Sequence, residues 1–360
     1  MTRAEWCLRR LAVRLAGQGP RTSAPLARFG SGLRELRHET GGKFSTFAPR
    51  RVDAIQPTWT SEWPRAAAAE PDRCAYILSG GGLYDGDGVI YERTTRCAIR
   101  ESLDFTPTPA SRHPAMGRPR LHPPHILPGT SVFVGGLGGR TFYHFLVETL
   151  PQIAWLQPEI DRCDRLIVQG YIEPQKEAWL RRAGVRVPIV WLQPLDHLIC
   201  PELVFCPRLV AHYQPNPWAT ATLQRLVGAR PASVPARSRF IWADRRSSHV
   251  RIVPWESDLV ARLPAPWNPV DFSALTPQQT IDLCAECTGF AGFHGAAFSN
   301  LAFCPPGTRV FEFYPEPKES WYPALSDCVG HRHCVASTSI GLDAILPLLS
   351  AAVAEVLPNL

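Results

Sequence analysis

Gly289-Phe-Ala-Gly-Phe293, then His294-Gly-Ala-Ala-Phe-Ser-Asn300, then Thr308-Arg-Val-Phe-Glu-Phe313 read as strand, tight turn opening a helix, and strand. Short apolar runs joined by helix-length connections belong to a parallel sheet with helices on its faces. The pattern extends upstream. Phe240-Ile-Trp242 is a further strand, and a helix is expected over Glu256–Arg262. A second helix is expected to open at Thr276-Pro-Gln-Gln279, where Thr276 caps, Pro277 takes the first helical position and Gln279 completes a capping box. Leu342–Leu357 reads as an apolar helix long enough to pack back across a neighbouring domain.

The same alternation begins after Thr130. Ser131-Val-Phe-Val134 is a strand, Gly135–Gly139 a glycine-rich loop, and Phe142–Leu156 a helix. Leu166–Gln169, a helix over Glu173–Ala183, Ile189–Trp191 and Leu203–Phe205 continue the order. Before it, the runs of Cys74–Ile99 flank Asp85-Gly-Asp-Gly88 as strand, turn and strand, and proline-rich 107–128 is an extended connection. A chain of 360 residues accommodates two domains with their own cores. The expected division is a poorly ordered or amphipathic lead-in over 1–60, an N-terminal domain over 61–230, a C-terminal domain over 231–340 opening on the linker Pro231–Pro235, and a returning helix over 341–360. The economical fold is α/β, with two doubly wound domains facing across a cleft.

Composition narrows the function classes. An apolar fraction of 45% excludes disorder throughout. The net charge is +6, and of 38 basic residues only Lys43, Lys176 and Lys318 are lysines. Arginine suits bidentate contact with phosphate and carboxylate, but no basic stripe interleaved with aromatics points to nucleic acid. No apolar run reaches the ~18 residues that cross a bilayer. Residues 1–17 carry Arg3, Arg9, Arg10 and Arg14 with leucines at helical spacing. They read either as a surface helix or as a basic amphipathic segment at an anionic membrane face. Eleven scattered cysteines suit a reducing compartment, so a cytoplasmic chain, peripheral at most to the inner face of the plasma membrane, is expected.

Chemistry gathers at a few points. In open parallel sheets, ligands bind at the carboxyl ends of strands, and free N–H groups at a helix start attract phosphate. His294, Gly295 and Ala296 lie at such a point, with room beside the small residues for a diphosphate. Arg245, Arg246 and Arg251 follow the strand Phe240–Trp242, and Arg245 is expected on the same edge as His294, where it could grip phosphate oxygens. Glu312 ends a neighbouring strand. His144 and Glu148, four apart on a helix, form a pair able to take a proton from a hydroxyl. Asp85-Gly-Asp87 has the form of a metal–nucleotide motif but reads as a hairpin turn. Cys284, Cys287, Cys328, His331, His333 and Cys334 are zinc-type residues without a zinc spacing. No metal site is expected. An NAD-type reading lacks a GxGxxG with its acidic partner.

Tyr143-His-Phe-Leu-Val-Glu-Thr-Leu-Pro151, Ile241-Trp-Ala-Asp-Arg-Arg246 through Arg251 and Glu256, Leu275–Ile281, His294–Asn300, Pro305–Thr308 and Phe311–Pro315, in that order, resemble the glycosyltransferase family 61 pattern. The resemblance implies a GT-B fold with Rossmann-like halves. It implies an inverting transferase that moves a sugar from a nucleotide-sugar donor to a glycan or lipid-linked hydroxyl, in surface polysaccharide or capsule synthesis, without an obligatory metal or other cofactor. Carried across, Arg245, Arg251, Glu256, His294, Gly295, Ala296 and Asn300 hold the donor, Glu312 holds its ribose, and Glu148 or His144 is the base. Asp244, Trp255 and Glu148 depart from the usual serine, asparagine and aspartate. The alternative is a non-catalytic protein of the same fold that binds a nucleotide or glycan.

Overall fold

The computed structural model describes residues 22–24, 33–41, 43–47, 65–84, 88–93, 95–102, 122–136, 139, 141–210, 214–229, 238–314, 321–338 and 341–356. The expectations for residues 1–17, Asp85–Asp87, 107–121 and Pro231–Pro235 lie outside them. Two compact units divide the chain. One takes Met1–Gly42 and Glu70–Tyr213, the other Lys43–Ala69 and Gln214–Leu360. The chain is α/β in both.

The first unit holds a mixed ten-stranded sheet. Thr130–Val134, Arg165–Gln169 and Ile189–Leu192 run parallel, and His197–Phe205 joins them parallel on the other flank. There the parallel order ends. Arg73–Tyr84 pairs antiparallel with His197–Phe205, with Val89–Glu92 and with Leu33–Glu39. The strands after Thr130, where strand–helix alternation predicted a parallel sheet, are parallel to one another, and the strand–turn–strand reading of Cys74–Ile99 is met by an antiparallel pair. The antiparallel join of Arg73–Tyr84 to His197–Phe205 departs from a doubly wound domain. Only four residues separate Tyr84 from Val89, far short of the crossover that a parallel pair needs. Leu166, Ile167 and Val168 are fully buried, as strands covered on both faces must be.

The helix expected over Phe142–Leu156 is broken in register. Phe142–His144 is α-helical, Phe145–Thr149 is a π-turn, and Leu150–Trp155 returns to α. Pro151 has no N–H to send back to the Val147 carbonyl, so an α register would leave that acceptor unserved. Instead the Leu150 N–H reaches back five residues, to the Phe145 carbonyl.

The second unit holds a five-stranded, wholly parallel sheet: Trp267–Val270, Arg239–Ala243, Cys287–Phe293, Arg309–Tyr314, Arg332–Ser337. Numbered along the chain, the order is 2-1-3-4-5, which reverses between Arg239–Ala243 and Cys287–Phe293. The capping box of Pro277–Ala285 is present as expected, with Thr276 and Gln279 bonded reciprocally. The segment after His294 differs from expectation: Ala296–Phe303 is a 3₁₀ helix. On one sheet face Phe240, Trp242, Trp267, Phe293, Phe311 and Phe313 form an aromatic core. Leu342–Val356, expected to cross to a neighbouring domain, puts its buried residues Ile345, Leu349, Ala352 and Val353 into this core of its own unit. The Trp267 indole N–H fixes it by donating to the Leu349 carbonyl at 3.0 Å.

Candidate functional site

The second unit brings Arg245 and His294 together. Each follows the carboxyl end of a strand flanking the reversal point, the position where open α/β sheets bind ligands. The Arg245 backbone N–H donates to Glu256 Oε1 at 3.0 Å. Glu256 is buried at the start of the helix Glu256–Ala261, and burial pushes its carboxyl pKa up. It thus pins the turn carrying Arg245. The Arg245 guanidinium donates to the His294 carbonyl, to the Val250 carbonyl at 2.8 Å and to the Ser248 hydroxyl at 3.4 Å. All three acceptors are neutral. Arg37, Arg73, Arg239 and Arg246 each meet a carboxylate within 3.0 Å; Arg245 has no such partner among the described residues. Burial lowers its pKa, and nearby Arg251 adds to that.

Gly295 is required by space. Its φ of 174° is extended backbone open to any residue, but a Cβ there would lie 2.9 Å from the Arg245 Cζ. What fills the room beside this glycine is the guanidinium itself. Arg251 is exposed on the same loop, with a left-handed φ of 54°. Asp244, standing where the resemblance leads one to expect serine, is spent on Arg246 at 2.7 Å, and that hydrogen bonding lowers its pKa. Asn300 is buried, its amide donating to the Ala297 carbonyl at 2.9 Å while Oδ1 has no partner.

Glu312 occupies a different place from the one expected. It is 1% exposed, and both its oxygens meet imidazoles: Oε1 meets His294 Nδ1, and Oε2 meets His333 Nε2 at 3.0 Å. Burial works to raise its pKa, but the two imidazoles outweigh this and hold it below the ordinary glutamate value. His333 Nδ1 in turn meets the Ser326 hydroxyl at 2.7 Å. The His294 ring stacks on Tyr314, with centroids 3.9 Å apart and planes 17° from parallel. Ser326 carried no sequence signal, and His333 entered only as a zinc-type residue. Strand spacing gives the reason: Glu312 and His333 lie on adjacent strands, so only the sheet register joins them.

The zinc-type residues do not gather around one point. His333 has both ring nitrogens engaged, and Cys284 and Cys287 lie fully buried, with Cys304 as their thiol neighbour. Among the described residues, one group could hold a metal ion: Glu35, His38 and Cys74, in the other unit. Glu35 there already accepts from the Tyr76 hydroxyl, and His38 faces Asp72.

In the first unit His144 and Glu148 are both buried, and His144 Nδ1 lies 2.5 Å from Glu148 Oε1. The pair spans the π-turn. The loop after Thr130–Val134 is held from two sides: Gln152 Oε1 accepts the Gly135 N–H at 2.7 Å, and Gln169 Oε1 accepts the Gly136 N–H at 2.5 Å. Gly135 has φ +146°, and a Cβ there would fall 2.4 Å from the Gln169 Cβ. Gly136 lies between the Glu148 carboxylate and Arg208. Gly135, Gly136, Arg208, Ser102 and Glu101 line a small open cavity of about 20 Å³, the scale of one water. The two glutamines and Arg208 were missed because nothing local marks them.

A guanidinium and an imidazole thus meet at the reversal point of a parallel sheet, the edge at which open α/β sheets receive ligands. Residues 142–311 match the family model described as Glycosyltransferase 61, a span that holds every expected site residue except Glu312, one position beyond it. Over this stretch the chain is similar to glycosyltransferase family 61, the family that the ordered sequence motifs resemble. No curated protein matches the chain. Among the described residues, no helix is long and apolar enough to cross a membrane.

Proposed function

We propose that the protein is an inverting glycosyltransferase that binds the diphosphate of a nucleotide-sugar donor at Arg245 and His294 and transfers the sugar to a glycan or lipid-linked hydroxyl. The observation that carries the donor site is the Arg245 guanidinium: half-buried, oriented by three neutral oxygens, and lacking a carboxylate partner among the described residues. A desolvated cation calls for an anion, and the reversal point is where the fold receives one.

In this reading the His144–Glu148 pair takes the acceptor's hydroxyl proton. The acceptor oxygen forms a bond to the anomeric carbon as the bond from that carbon to the diphosphate breaks. The electron pair leaves on the diphosphate, opposite Arg245 and His294, whose fixed charge and dipoles meet it without reorganisation. Glu256 sets the Arg245 backbone, and Glu312 serves His294 in place of a ribose.

The test separates binding from turnover. R245A should weaken binding of nucleoside diphosphates by at least tenfold in calorimetry, the scale of one charge-assisted hydrogen bond. E148Q should bind as wild type and lose about 10²-fold or more in transfer rate. Undiminished binding by R245A removes the donor site; full turnover by E148Q removes the base. A nucleotide that binds without transfer or hydrolysis of any nucleotide sugar would favour the non-catalytic alternative.

A further inference from the structure

Behind the Arg245–His294 edge runs a buried chain of polar side chains: Ser326, His333, Glu312 and His294. Glu312 sits between two imidazoles, all three groups under 10% exposed. An ionised carboxylate so enclosed is costly unless one neighbour carries a compensating proton. The question is which imidazole holds it, and the outer hydrogen bonds answer.

His331, three residues past Cys328, is a neutral base: burial drives its pKa down to about 4. Its Nε2 faces the Cys304 carbonyl at 3.4 Å, which places the ring's proton there. Ser326 has one hydroxyl proton and two ring nitrogens within reach: His333 Nδ1 at 2.7 Å and His331 Nδ1 at 3.4 Å. The proton goes to the short contact. His333 Nδ1 is then an acceptor, and its single proton lies on Nε2, donated to Glu312 Oε2 at 3.0 Å. His333 spends its donor without supplying charge. Compensation falls to His294, whose Nδ1 faces the other carboxylate oxygen.

We infer that Ser326 and His333, acting through Glu312, keep His294 doubly protonated at neutral and mildly alkaline pH, so that it meets the donor diphosphate as a cation. Ser326 and His333 are positioning residues. The groups against His294 include Glu312 and Tyr314 from one strand, Tyr322 from the helix Trp321–Val329, and Arg245 from the loop beyond Arg239–Ala243; the carboxylate among these four is Glu312. Tyr314 covers a ring face and leaves the nitrogens in the ring plane to their partners. The inference rests on the donor-site reading only for what the charge acts upon.

The experiment uses the full chain and inorganic pyrophosphate. Imidazole nitrogen shifts from ¹⁵N-histidine NMR, with H294Q supplying the assignment, should show both His294 nitrogens protonated at pH 8 in the wild type. E312Q keeps the shape, removes the charge and turns one of the two acceptor oxygens into an N–H donor. Its His294 should be singly protonated at pH 8, with pyrophosphate bound about tenfold more weakly than by wild type. At pH 5.5, where an imidazole protonates unaided, the two should bind within about twofold. S326A, which frees His333 Nδ1 to take a proton, should lower pyrophosphate affinity at pH 8 and leave it unchanged at pH 5.5. A singly protonated wild-type His294 at pH 8, or an S326A variant matching wild type in both readouts, overturns the relay. A doubly protonated His294 in a protein that binds no pyrophosphate at either pH upholds the relay and removes the donor site instead.

Discussion

Replacing Gly295 by alanine tests the donor site without removing any charged group. The backbone at Gly295, φ 174° and ψ 172°, is extended, so alanine adopts it without strain. The added methyl would fall 2.9 Å from the Arg245 Cζ, 2.9 Å from Nε and 3.1 Å from Nη1. These are the far end of a flexible side chain, so the guanidinium moves and the fold stays. In moving it gives up its bond to the His294 carbonyl and its set relative to the Val250 carbonyl. A hydrogen bond from a charged group contributes roughly 1.5–3 kcal/mol. The expected loss in pyrophosphate or nucleoside diphosphate affinity is therefore about 10- to 150-fold. Stability should change by less than about 1 kcal/mol, a shift in Tm of no more than roughly 4 °C for a unit of this size. Calorimetric titration gives the first number and a thermal melt the second. A G295A protein that binds as wild type would mean that the guanidinium's position does not matter to the anion. A melt depressed by ten degrees would mean that Gly295 serves the fold instead.

Gly135 should behave in the opposite way: φ +146° and a Cβ 2.4 Å from the Gln169 Cβ make G135A a backbone lesion, costing on the order of 2–4 kcal/mol and lowering Tm by several degrees, and an unchanged melt would contradict it. His331 governs acid stability. Its folded pKa of about 4 lies below the ordinary 6.5, so the unfolded chain binds more protons between those values. Stability should therefore fall as pH drops from 6.5 towards 4, by at most about 3 kcal/mol from this group. H331Q should flatten that part of the stability–pH curve measured by urea melts; a parallel curve in the variant would rule the assignment out.

How much was legible beforehand follows from the range over which each signal acts. Strands such as Phe240–Trp242 and Leu166–Gln169, and the Thr276 capping box, depend on residues within a few positions of one another, and all were found where the residues placed them. The π-turn was not, although its cause is local. Pro151 reads equally well as the first residue of a new helix, and only the backbone bonds separate the two. The hairpin within Cys74–Ile99 was legible from its turn, but its antiparallel pairing with His197–Phe205 and Leu33–Glu39 was hidden, because no local pattern reports which distant strand pairs with which. In the site, Arg245 and His294 were each readable as the residue just past a strand. They were expected on one edge, and the strand order adds the direct bond between them. Glu312, His333 and Ser326 come from two strands and a helix, and no spacing in the chain would have joined them.

Strand order also accounts for why the charge sits where it does. The reversal between Arg239–Ala243 and Cys287–Phe293 sends the connections after these strands in opposite directions, the arrangement that in open α/β sheets leaves a gap above the carboxyl ends. A closed edge would have paired Arg245 with a carboxylate, as happens at Arg73, where Glu39 and Glu70 both reach the guanidinium. At the gap, protein atoms supply carbonyls and a hydroxyl instead, which orient the cation and leave its charge unspent. The strand Arg309–Tyr314, next in the sheet and inside the unit, carries the opposite arrangement. There Glu312 has no solvent to offset its charge, so imidazoles enclose it, and one of them, His294, lies against the loop that carries Arg245. A carboxylate buried one strand away from the site thus becomes the reason that an imidazole at the site carries charge, and the parallel register of three neighbouring strands is what aligns the two.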